Sequence, residues 1–424
     1  MAFGRSGPSN LLVVANGGAL VLGVFSAAVQ ARILGPVGRG ELAVAVVPAT
    51  VIAMLLCLGL PDYFARRVAL DGDVRRAATM ALVLSAAIGV LTVGPYLGLG
   101  GLLAPVGSEA WWLLGIYAIL TPVFVYGYCI SAISVGQGSW IAVAASKILP
   151  QVLGLAGLLA IWAMSPSVLQ VGSVLLAATL CGLLIPASIA GAYPWRRFDA
   201  ADVKAALRFG IHGWGAGALA LVNQRIDLLM LTVMATHDEL GLYAVSVTLA
   251  SVLGTIPVSI ALPTRNRVAR GDHEAAVEAS SFSIFVTFIL GVGVIASLPW
   301  LVPLALGEAF APAIPTMIVL IAAQVPLAGI VILTFSIVGA GRPAAPLYGE
   351  ATALILTVVA ILLLFPTYGP IAAALANLFA NVVSLGVLIV LSRRHLARVP
   401  AWRYVVPSPS QLRRLITRKG SSEH

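Results

Sequence analysis

The chain has 424 residues, 60% of them hydrophobic and 10% charged, with a mean hydropathy of +1.02 and a net charge of +9. A soluble globule of this length could not bury so much apolar surface, so the composition indicates a membrane protein. The basic residues stand in short gaps and in a C-terminal tail, which favours membrane lipids over nucleic acid as their partner.

Twelve apolar stretches follow one another, and most have the roughly 20 residues that a helix needs to cross about 30 Å of hydrocarbon. The predicted spans are Leu11–Ala31, Leu42–Leu60, Ala77–Leu99, Trp111–Val135, Ile141–Met164, Val168–Ala192, Ile211–Ala235, Leu242–Leu262, Phe282–Leu306, Ile314–Val338, Ala351–Phe365 and Ile371–Leu391. The eleventh is short, and we expect it to begin earlier. The sequence therefore predicts an all-α polytopic membrane protein with twelve transmembrane helices.

The distribution of positive charge gives this arrangement an orientation. With the N-terminus inside, 21 of the 25 Lys and Arg residues fall on the cytoplasmic side. Arg32 and Arg39 face out, while Lys147 and Arg225 lie within spans. Because cytoplasmic loops retain Lys and Arg during insertion, this imbalance predicts that both termini are cytoplasmic.

Two sequence matches indicate an internal duplication. Residues 40–46 resemble residues 241–247 at an offset of 201, and residues 67–69 recur at 267–269. The matches flank the second and the eighth predicted helix, so we predict two parallel six-helix lobes around a central cavity. The predicted limits are 1–192 for the first lobe, 193–210 for a cytoplasmic linker, 211–392 for the second lobe and 393–424 for a basic cytoplasmic tail.

The linker and the tail each carry a local pattern. Asp199 and Asp202 are spaced as an N-cap and an acid three residues later, which predicts a short interfacial helix on the membrane surface. Basic and aromatic residues alternate in the tail, which is typical of binding to a lipid surface. Docking of a partner protein is the alternative interpretation of the tail.

The strongest candidate site is a polar cluster within the seventh span, at residues 223–227. A charge at the centre of a span costs about 2.5 to 3.5 kcal/mol, so it usually faces a cavity or a partner. On a continuous helix, Asn223 and Asp227 share one face and Arg225 points elsewhere. We predict that Arg225 and Asn223 bind substrate and that Asp227 binds a coupling proton or sodium ion; a purely structural polar cluster is the alternative.

Three further basic residues are candidate substrate contacts. Lys147 lies inside the cytoplasmic end of the fifth span, where it could meet an anionic group or simply extend to the interface. Arg32 and Arg39 could hold a headgroup at the outer mouth, although a hydrogen-bonded turn would explain them nearly as well. Cys57, Cys129 and Cys181 have no metal-ligand spacing, so we expect no metal site and interpret them as small apolar residues.

Residues Ala31–Ala43 read A-R-I-L-G-P-V-G-R-G-E-L-A. This segment resembles a sequence motif at the first outer turn of the Wzx-type polysaccharide flippases of the multidrug/oligosaccharidyl-lipid/polysaccharide exporter superfamily. Leu42 lies where that motif often has an aromatic residue. The resemblance implies alternating-access transport of a polyprenyl-diphosphate-linked oligosaccharide across a bacterial cytoplasmic (plasma) membrane. Polysaccharide assembly proteins are further implied partners, and no cofactor is expected apart from a coupling ion.

Three alternatives stay open at this point. A multidrug or cation antiporter of the same superfamily should carry several acids inside its lobes, whereas Asp227 is the one acid deep within a predicted span. A membrane glycosyltransferase or polymerase should have a large outer loop with catalytic acids, whereas the predicted outer gaps are short. An inactive scaffold for envelope assembly is the third alternative. The sequence therefore favours a transporter without catalytic residues.

Overall fold

The computed structural model describes residues 8–189, 191–192 and 196–407, and within these ranges the fold is entirely helical. The α-helices are α1 (Pro8–Leu56), α2 (Leu60–Asp71), α3 (Val74–Leu103), α4 (Glu109–Gln137), α5 (Trp140–Ile161), α6 (Val168–Ile189), α7 (Ala200–Asn223), α8 (Ile226–Met234), α9 (His237–Ser251), α10 (Thr255–Ala269), α11 (Glu274–Ala305), α12 (Ile314–Gly339), α13 (Pro346–Tyr368) and α14 (Pro370–His395). Short 3-10 turns occupy Trp162–Met164, Val252–Gly254, Glu308–Ala313 and Ala401–Tyr404. The predicted all-α fold class is confirmed.

Among the described residues, nine helices are long and apolar enough to cross a membrane, or ten if α7 and α8 form one bent span. Predicted spans four to six and eight to twelve each coincide with one of these helical segments. The eleventh begins at Pro346, earlier than the apolar stretch itself, as expected. Spans one and two lie together in α1, and span three lies in α3. The number of crossings therefore stays a prediction.

The long helix α1 contains a sharp break where the sequence predicts an outer turn. Gly35 has φ 65° and ψ −176°, a conformation that is accessible to glycine and strained for other residues. Pro36 follows, and the helix resumes at once. The two predicted spans are thus joined by a kink, because the turn between them is too short to form a separate loop.

Backbone contacts divide the chain into two compact units. The first consists of Met1–Val245 and Ala305–Ala309, and the second of Ser246–Leu304 and Phe310–His424. The first unit thus includes α7, which begins within the predicted linker, together with α8 and the beginning of α9. The lobe limits derived from the sequence remain a prediction.

In the first unit, α4 packs against α2, α3 and α6, and α1 packs against α5. Small residues let these helices approach closely: Gly89 faces Pro122, Gly182 faces Pro150, and a Cβ atom on either glycine would overlap the proline ring. Lipid tails are as apolar as leucine, so close packing of this kind, rather than escape from water, holds helices together in a membrane.

A pair of glycines brings α1 and α9 into backbone contact in the first unit. A Cβ atom on Gly40 would overlap the carbonyl oxygen of His237, and one on Gly241 would overlap the carbonyl oxygen of Pro36. Gly40 and Gly241 are 201 residues apart, and so are Pro36 and His237. The two halves of this contact, which we call the glycine crossing, are therefore equivalent under the predicted duplication.

A second backbone contact joins the break between α1 and α2 to α7. Leu58 has φ 47° and Gly59 has φ 70°. Added Cβ atoms on Gly59 and Gly210 would each overlap backbone of the opposite segment, and the Trp214 indole N–H donates to the Leu55 carbonyl at 2.8 Å. Positive φ at a leucine costs of order 1–3 kcal/mol, so the surrounding packing must hold this conformation. We call this contact the bent junction.

The helix predicted within the linker begins at Ala200. It extends beyond the linker, because α7 continues to Asn223. Val203 and Leu207 pack against the core formed by α2, α3 and α4. The Asp202 carboxylate accepts a hydrogen bond from the Asp199 N–H at 3.1 Å and forms an ion pair with Arg76. These contacts fasten the start of α7 to the first unit.

In the second unit, α14 packs against α12 and α13, and α12 packs against α10. The first part of the predicted tail folds back after α14: Tyr404 is fully buried, its hydroxyl donates to the Ala397 carbonyl, and its carbonyl accepts from Ser280. Residues 408–424, with Arg413, Arg414, Arg418 and Lys419, lie outside the described residues.

Other paired features also support the duplication. A Cβ atom on Gly136 would overlap the Ala65 carbonyl oxygen, and one on Gly339 would crowd the Arg265 carbonyl oxygen. Asp73 accepts a hydrogen bond from a backbone N–H of the first turn of α3, and Asp272 does the same for α11, both at 3.2 Å. Each pair is separated by about 200 residues, like the matches in the sequence.

Candidate functional site

The predicted seventh span is broken in the middle. Helices α7 and α8 meet at an angle of 50°, separated by Gln224 and Arg225. Arg225 has φ −131° and ψ 0°, and its N–H bonds to the Val222 carbonyl, three residues back instead of four. Regular helical bonding resumes when the Leu229 N–H donates to the Arg225 carbonyl at 2.9 Å. The break therefore lies at the polar cluster itself.

The residues of this cluster face different surroundings. Arg225 and Gln224 are exposed, Asn223 is half-buried, and Asp227 is only 3% exposed. On a continuous helix, Arg225 and Asp227 would point in different directions. The helix is broken between them, but the two charged side chains still lie in different environments: Arg225 is exposed and Asp227 is buried.

Asp227 is bonded on both carboxylate oxygens. Oδ1 accepts from the Leu228 N–H at 2.8 Å, and Oδ2 accepts from the Tyr243 hydroxyl at 2.7 Å. Tyr243 is fully buried. Asp227 also lies in the first turn of α8, where a negative charge is favoured by the unpaired N–H groups and by the helix dipole. The carboxylate thus ties the start of α8 to α9.

Sequence reasoning did not select Tyr243 as a site residue. Its one signal was position: Tyr243 lies 201 residues after Leu42, so it carries in the second repeat the aromatic residue that the first repeat lacks. Hydrophobic patterning could not have found it, because a fully buried tyrosine resembles any other core residue until its hydroxyl partner is known.

The two outward arginines are engaged within the chain. Arg32 Nε donates to the Ala305 carbonyl at 3.0 Å, and Arg39 donates to Gln30, which in turn donates to Ser26 at 3.0 Å. Arg32 is exposed and Arg39 is half-buried. Both side chains therefore hold α1 near its break, and Arg32 also keeps an exposed surface that a headgroup could meet.

Lys147 lies on α5 and is exposed. The predicted substrate contacts thus occupy three places: α1 beside Gly35, α5, and the break between α7 and α8. Within the described residues, no group of three or more His, Cys, Asp and Glu side chains could hold a metal ion.

A family described as "Polysaccharide biosynthesis protein" matches residues 10–264. This match includes α1 through most of α10, and with them the glycine crossing, the bent junction and the broken helix. The chain belongs to this family. No curated protein sequence matches the chain significantly.

Solved structures of transporters share the fold. A lipid II flippase, MurJ, in an inward closed conformation has a TM-score of 0.76 and 13% identity, covering 98% of this chain and 94% of its own. An inward-facing multidrug resistance MATE family transporter has a TM-score of 0.64 and 17% identity, covering 100% and 98%. An outward-facing MATE family transporter has a TM-score of 0.62 and 16% identity, covering 92% and 96%. At these identities the likeness establishes the fold alone: a multi-pass membrane transporter fold.

Proposed function

We propose that this family member is a flippase that moves a polyprenyl-diphosphate-linked oligosaccharide across the bacterial cytoplasmic membrane. The observation that carries the proposal is the exposed Arg225 at the break between α7 and α8. The solved lipid II flippase shares the fold along nearly the whole chain, which supports the substrate class without identifying the glycan.

The depth of Arg225 explains why it points to an anionic ligand. Counted along the predicted span Ile211–Ala235, it lies about 21 Å from one end and about 15 Å from the other. An exposed guanidinium at this depth is costly against lipid, but it is stabilised by water in a cavity and by phosphate oxygens. A diphosphate is the part of the substrate that needs such a partner, while the polyprenyl chain can stay in the bilayer.

The break itself adds to this argument. Half-helices that begin within the membrane leave backbone N–H groups unpaired, and in transporters such helix starts often lie next to anionic groups. In this chain Asp227 satisfies the start of α8 from the buried side, so Arg225 supplies the positive charge on the exposed side. Asn223 is the adjacent hydrogen-bonding group for the same ligand.

The proposal includes an architecture. We count α1 as two crossings that meet at Gly35, α7 with α8 as one bent crossing, and α3 as a full crossing. These assignments give twelve crossings with both termini cytoplasmic, in two lobes around a cavity. Alternating access between the two membrane faces would then expose the Arg225 region to each leaflet in turn. Lys147, Arg32 and Arg39 are assigned to the two mouths of the path.

Asp227 is the proposed site for a coupling proton or sodium ion. The proposal is supported by its burial within a span, since intramembrane acids commonly serve in ion relays. Its test is transport measured with and without an imposed proton or sodium gradient, in the parent protein and in Asp227→Asn. Gradient stimulation that survives the substitution would exclude Asp227 as the coupling site.

The experiment for the main proposal uses purified protein in liposomes that contain a fluorescent polyprenyl-diphosphate glycan. Access of a membrane-impermeant quencher reports movement between leaflets. We expect Arg225→Ala to slow movement by about tenfold or more, because a charge-assisted contact is worth about 1.5 to 3 kcal/mol, and Arg225→Lys to recover part of the rate. Arg398→Ala, which removes an exposed arginine of the tail, is the matched control.

A multidrug antiporter is the second candidate, favoured by the buried acid Asp227 and by the fold shared with MATE transporters. The same liposomes separate the two functions. Gradient-driven uptake of a cationic dye, blocked by Asp227→Asn and unaffected by Arg225→Ala, would establish the antiporter. Glycan movement that depends on Arg225 would establish the flippase.

A further inference from the structure

We propose that Tyr243 is a positioning residue that fixes Arg225 for its ligand by holding Asp227 at the start of α8. This inference rests on the proposed function, because it concerns the same site. Tyr243 does not belong to the sequence-predicted set, and it acts through a second side chain, sixteen residues earlier in the chain.

Two hydrogen bonds connect Tyr243 to the start of α8. The Tyr243 hydroxyl donates to Asp227 Oδ2 at 2.7 Å, while Asp227 Oδ1 accepts the Leu228 N–H at 2.8 Å. Leu228 lies in the first turn of α8, and Arg225 is the residue that precedes that helix. Two hydrogen bonds through Asp227 therefore link the Tyr243 hydroxyl to the Leu228 N–H, three residues after Arg225.

Neither Asp227 nor Tyr243 can exchange this hydrogen bond for one with water. Asp227 is 3% exposed and Tyr243 is fully buried. A buried carboxylate or phenol that loses its hydrogen-bond partner is strongly disfavoured, so each side chain restricts where the other can lie. The direction of α8 after the break is thereby determined by a bond between side chains, since the Arg225 N–H bonds the Val222 carbonyl, three residues back, and the two helices meet at 50° there.

Tyr243 lies on a part of α9 that is held rigidly by α1. It follows Gly241 by two residues, and Gly241 belongs to the glycine crossing, where α9 touches the backbone of α1 at Pro36. Backbone-to-backbone contact leaves little freedom for α9 at this point. The hydroxyl of Tyr243 is therefore held in place by the contact between α1 and α9. Its hydrogen bond to Asp227 in turn fixes the position of α8.

The positioning role of Asp227 and its proposed ion coupling can be tested separately. Ion coupling requires an ionisable carboxylate, whereas positioning requires only a side chain that bonds both Tyr243 and the Leu228 N–H. In this structure both Asp227 oxygens are engaged with the protein. Asp227→Asn removes the charge and the titration, yet an amide can still bond Tyr243, because a hydroxyl both donates and accepts.

The test measures the position of residue 225 directly. Arg225→Cys is introduced with Cys181→Ser, which removes the exposed native thiol and leaves Cys57 and Cys129 buried. The reaction rate of the introduced thiol with a charged, water-soluble thiol reagent is then measured in liposomes. We expect Tyr243→Phe to change this rate by about tenfold, which corresponds to about 1.4 kcal/mol, close to the lower end of what a hydrogen bond to a charged group contributes. Tyr348→Phe, which removes an exposed hydroxyl on α13, is the control.

A matching transport assay uses the natural Arg225. Tyr243→Phe should slow glycan movement nearly as much as Arg225→Ala, and Arg225→Ala should add little in the Tyr243→Phe background, because both changes affect one contact. Asp227→Ala removes the same bond from the other side and serves as a second variant if Tyr243→Phe is recovered poorly. Asp227→Asn should leave the labelling rate unchanged.

The outcomes separate this inference from the proposed function. Unchanged labelling at position 225 in well-folded Tyr243→Phe and Asp227→Ala proteins would overturn the positioning role. Altered labelling together with normal transport by Arg225→Ala would support the positioning role and overturn the proposed function. Altered labelling at position 225 in Asp227→Asn, equal to that in Asp227→Ala, would also overturn the positioning role, because it would mean that charge rather than bonding determines the site.

Discussion

The glycine crossing and the bent junction connect the same two stretches of chain, residues 36–59 and residues 210–241, in two different ways. At the glycine crossing, each side presents a glycine to a carbonyl of the other side, and α9 is helical through the contact. At the bent junction, the helix between Leu56 and Leu60 is interrupted, Leu58 has a positive φ, and a tryptophan bonds a backbone carbonyl. One contact is symmetric, and the other is strained and asymmetric.

This difference follows from the duplication. Gly40 and Gly241 are equivalent residues of the two repeats, so one favourable contact occurs twice at no additional strain. The linker before α7 exists only once, and Gly210 has no counterpart that could pair with a second copy of Gly59. The second repeat is interrupted elsewhere, at Val252–Gly254, about five residues before the position equivalent to the Leu58–Gly59 break. The duplication therefore accounts for the symmetric glycine crossing, and the linker accounts for the asymmetric bent junction.

The largest effect is expected at the glycine crossing. In Gly40→Ala, the added methyl group would overlap the His237 carbonyl, which is backbone and cannot rotate away. Overpacking of this kind costs typically 1–3 kcal/mol, and we expect about 3 kcal/mol here because both partners are backbone. The measurement is the melting temperature of the purified protein in detergent, together with its monodisperse yield.

The control for this prediction lies in the same helix. Gly17 has no atom within 4 Å of an added Cβ, so Gly17→Ala should leave stability unchanged or slightly raised. Equal melting temperatures for Gly40→Ala and Gly17→Ala would mean that the glycine crossing is open in the population that predominates in detergent.

Much of this fold was accessible from the sequence, because a membrane imposes length and polarity on every span. Apolar stretches located α4, α5, α6 and α12–α14 to within a few residues, whereas α11 begins at Glu274, eight residues before its predicted span. The same reasoning separated the two spans within α1 but did not specify whether a loop or a kink joins them, since hydropathy falls at Arg32 and Arg39 in either case. The break in α1 depends on one glycine φ, which composition does not encode.

The candidate site was partly accessible for the same reason. Charged and polar residues within an apolar span attract attention, so Asn223, Arg225 and Asp227 were selected from the sequence. The partner of Asp227 was not, because a hydrogen bond between α8 and α9 depends on packing that hydropathy cannot specify. Arg32 and Arg39 were predicted as ligand contacts, while their bonds to Ala305 and Gln30 required knowledge of which segments lie nearby.

A smaller effect is expected from Trp214→Phe at the bent junction. The change keeps an aromatic ring but removes the N–H that donates to the Leu55 carbonyl. That carbonyl also accepts the Leu58 N–H at 3.2 Å, so it keeps one partner, and the loss should be near the average of about 0.6 kcal/mol for hydrogen bonds between membrane helices. Trp300→Phe, at an exposed tryptophan, is the control for detergent melting.

Combining substitutions sharpens the comparison between the two contacts. Trp214→Phe should add fully to Gly40→Ala, because the two changes affect separate contacts. It should add less than fully to Gly210→Ala, because both act on the bent junction. Equal additivity with both variants would contradict the view that the bent junction behaves as one unit.

The smallest effect concerns the start of α7, which the Asp202 carboxylate fastens to the first unit. The Asp199 N–H and the Arg76 guanidinium hold the pKa of Asp202 below its ordinary value of 3.8, with the Asp199 N–H as the larger cause. A carboxyl whose folded pKa is lowered stabilises the protein above its unfolded pKa, and this stabilisation is lost as the pH falls through the folded pKa. We therefore expect Asp202→Asn to lower the melting temperature slightly at pH 7 and to have a progressively smaller effect as the pH falls below 3.8. Asp272→Asn, where Arg267 lowers the carboxyl pKa in the second unit, should show the same pH dependence. The effect of Asp202→Asn should add to that of Trp214→Phe, because Asp202 pairs with Arg76 on α3 whereas Trp214 bonds Leu55 on α1. A pH-independent effect of Asp202→Asn would mean that its ionised carboxylate contributes nothing to this attachment.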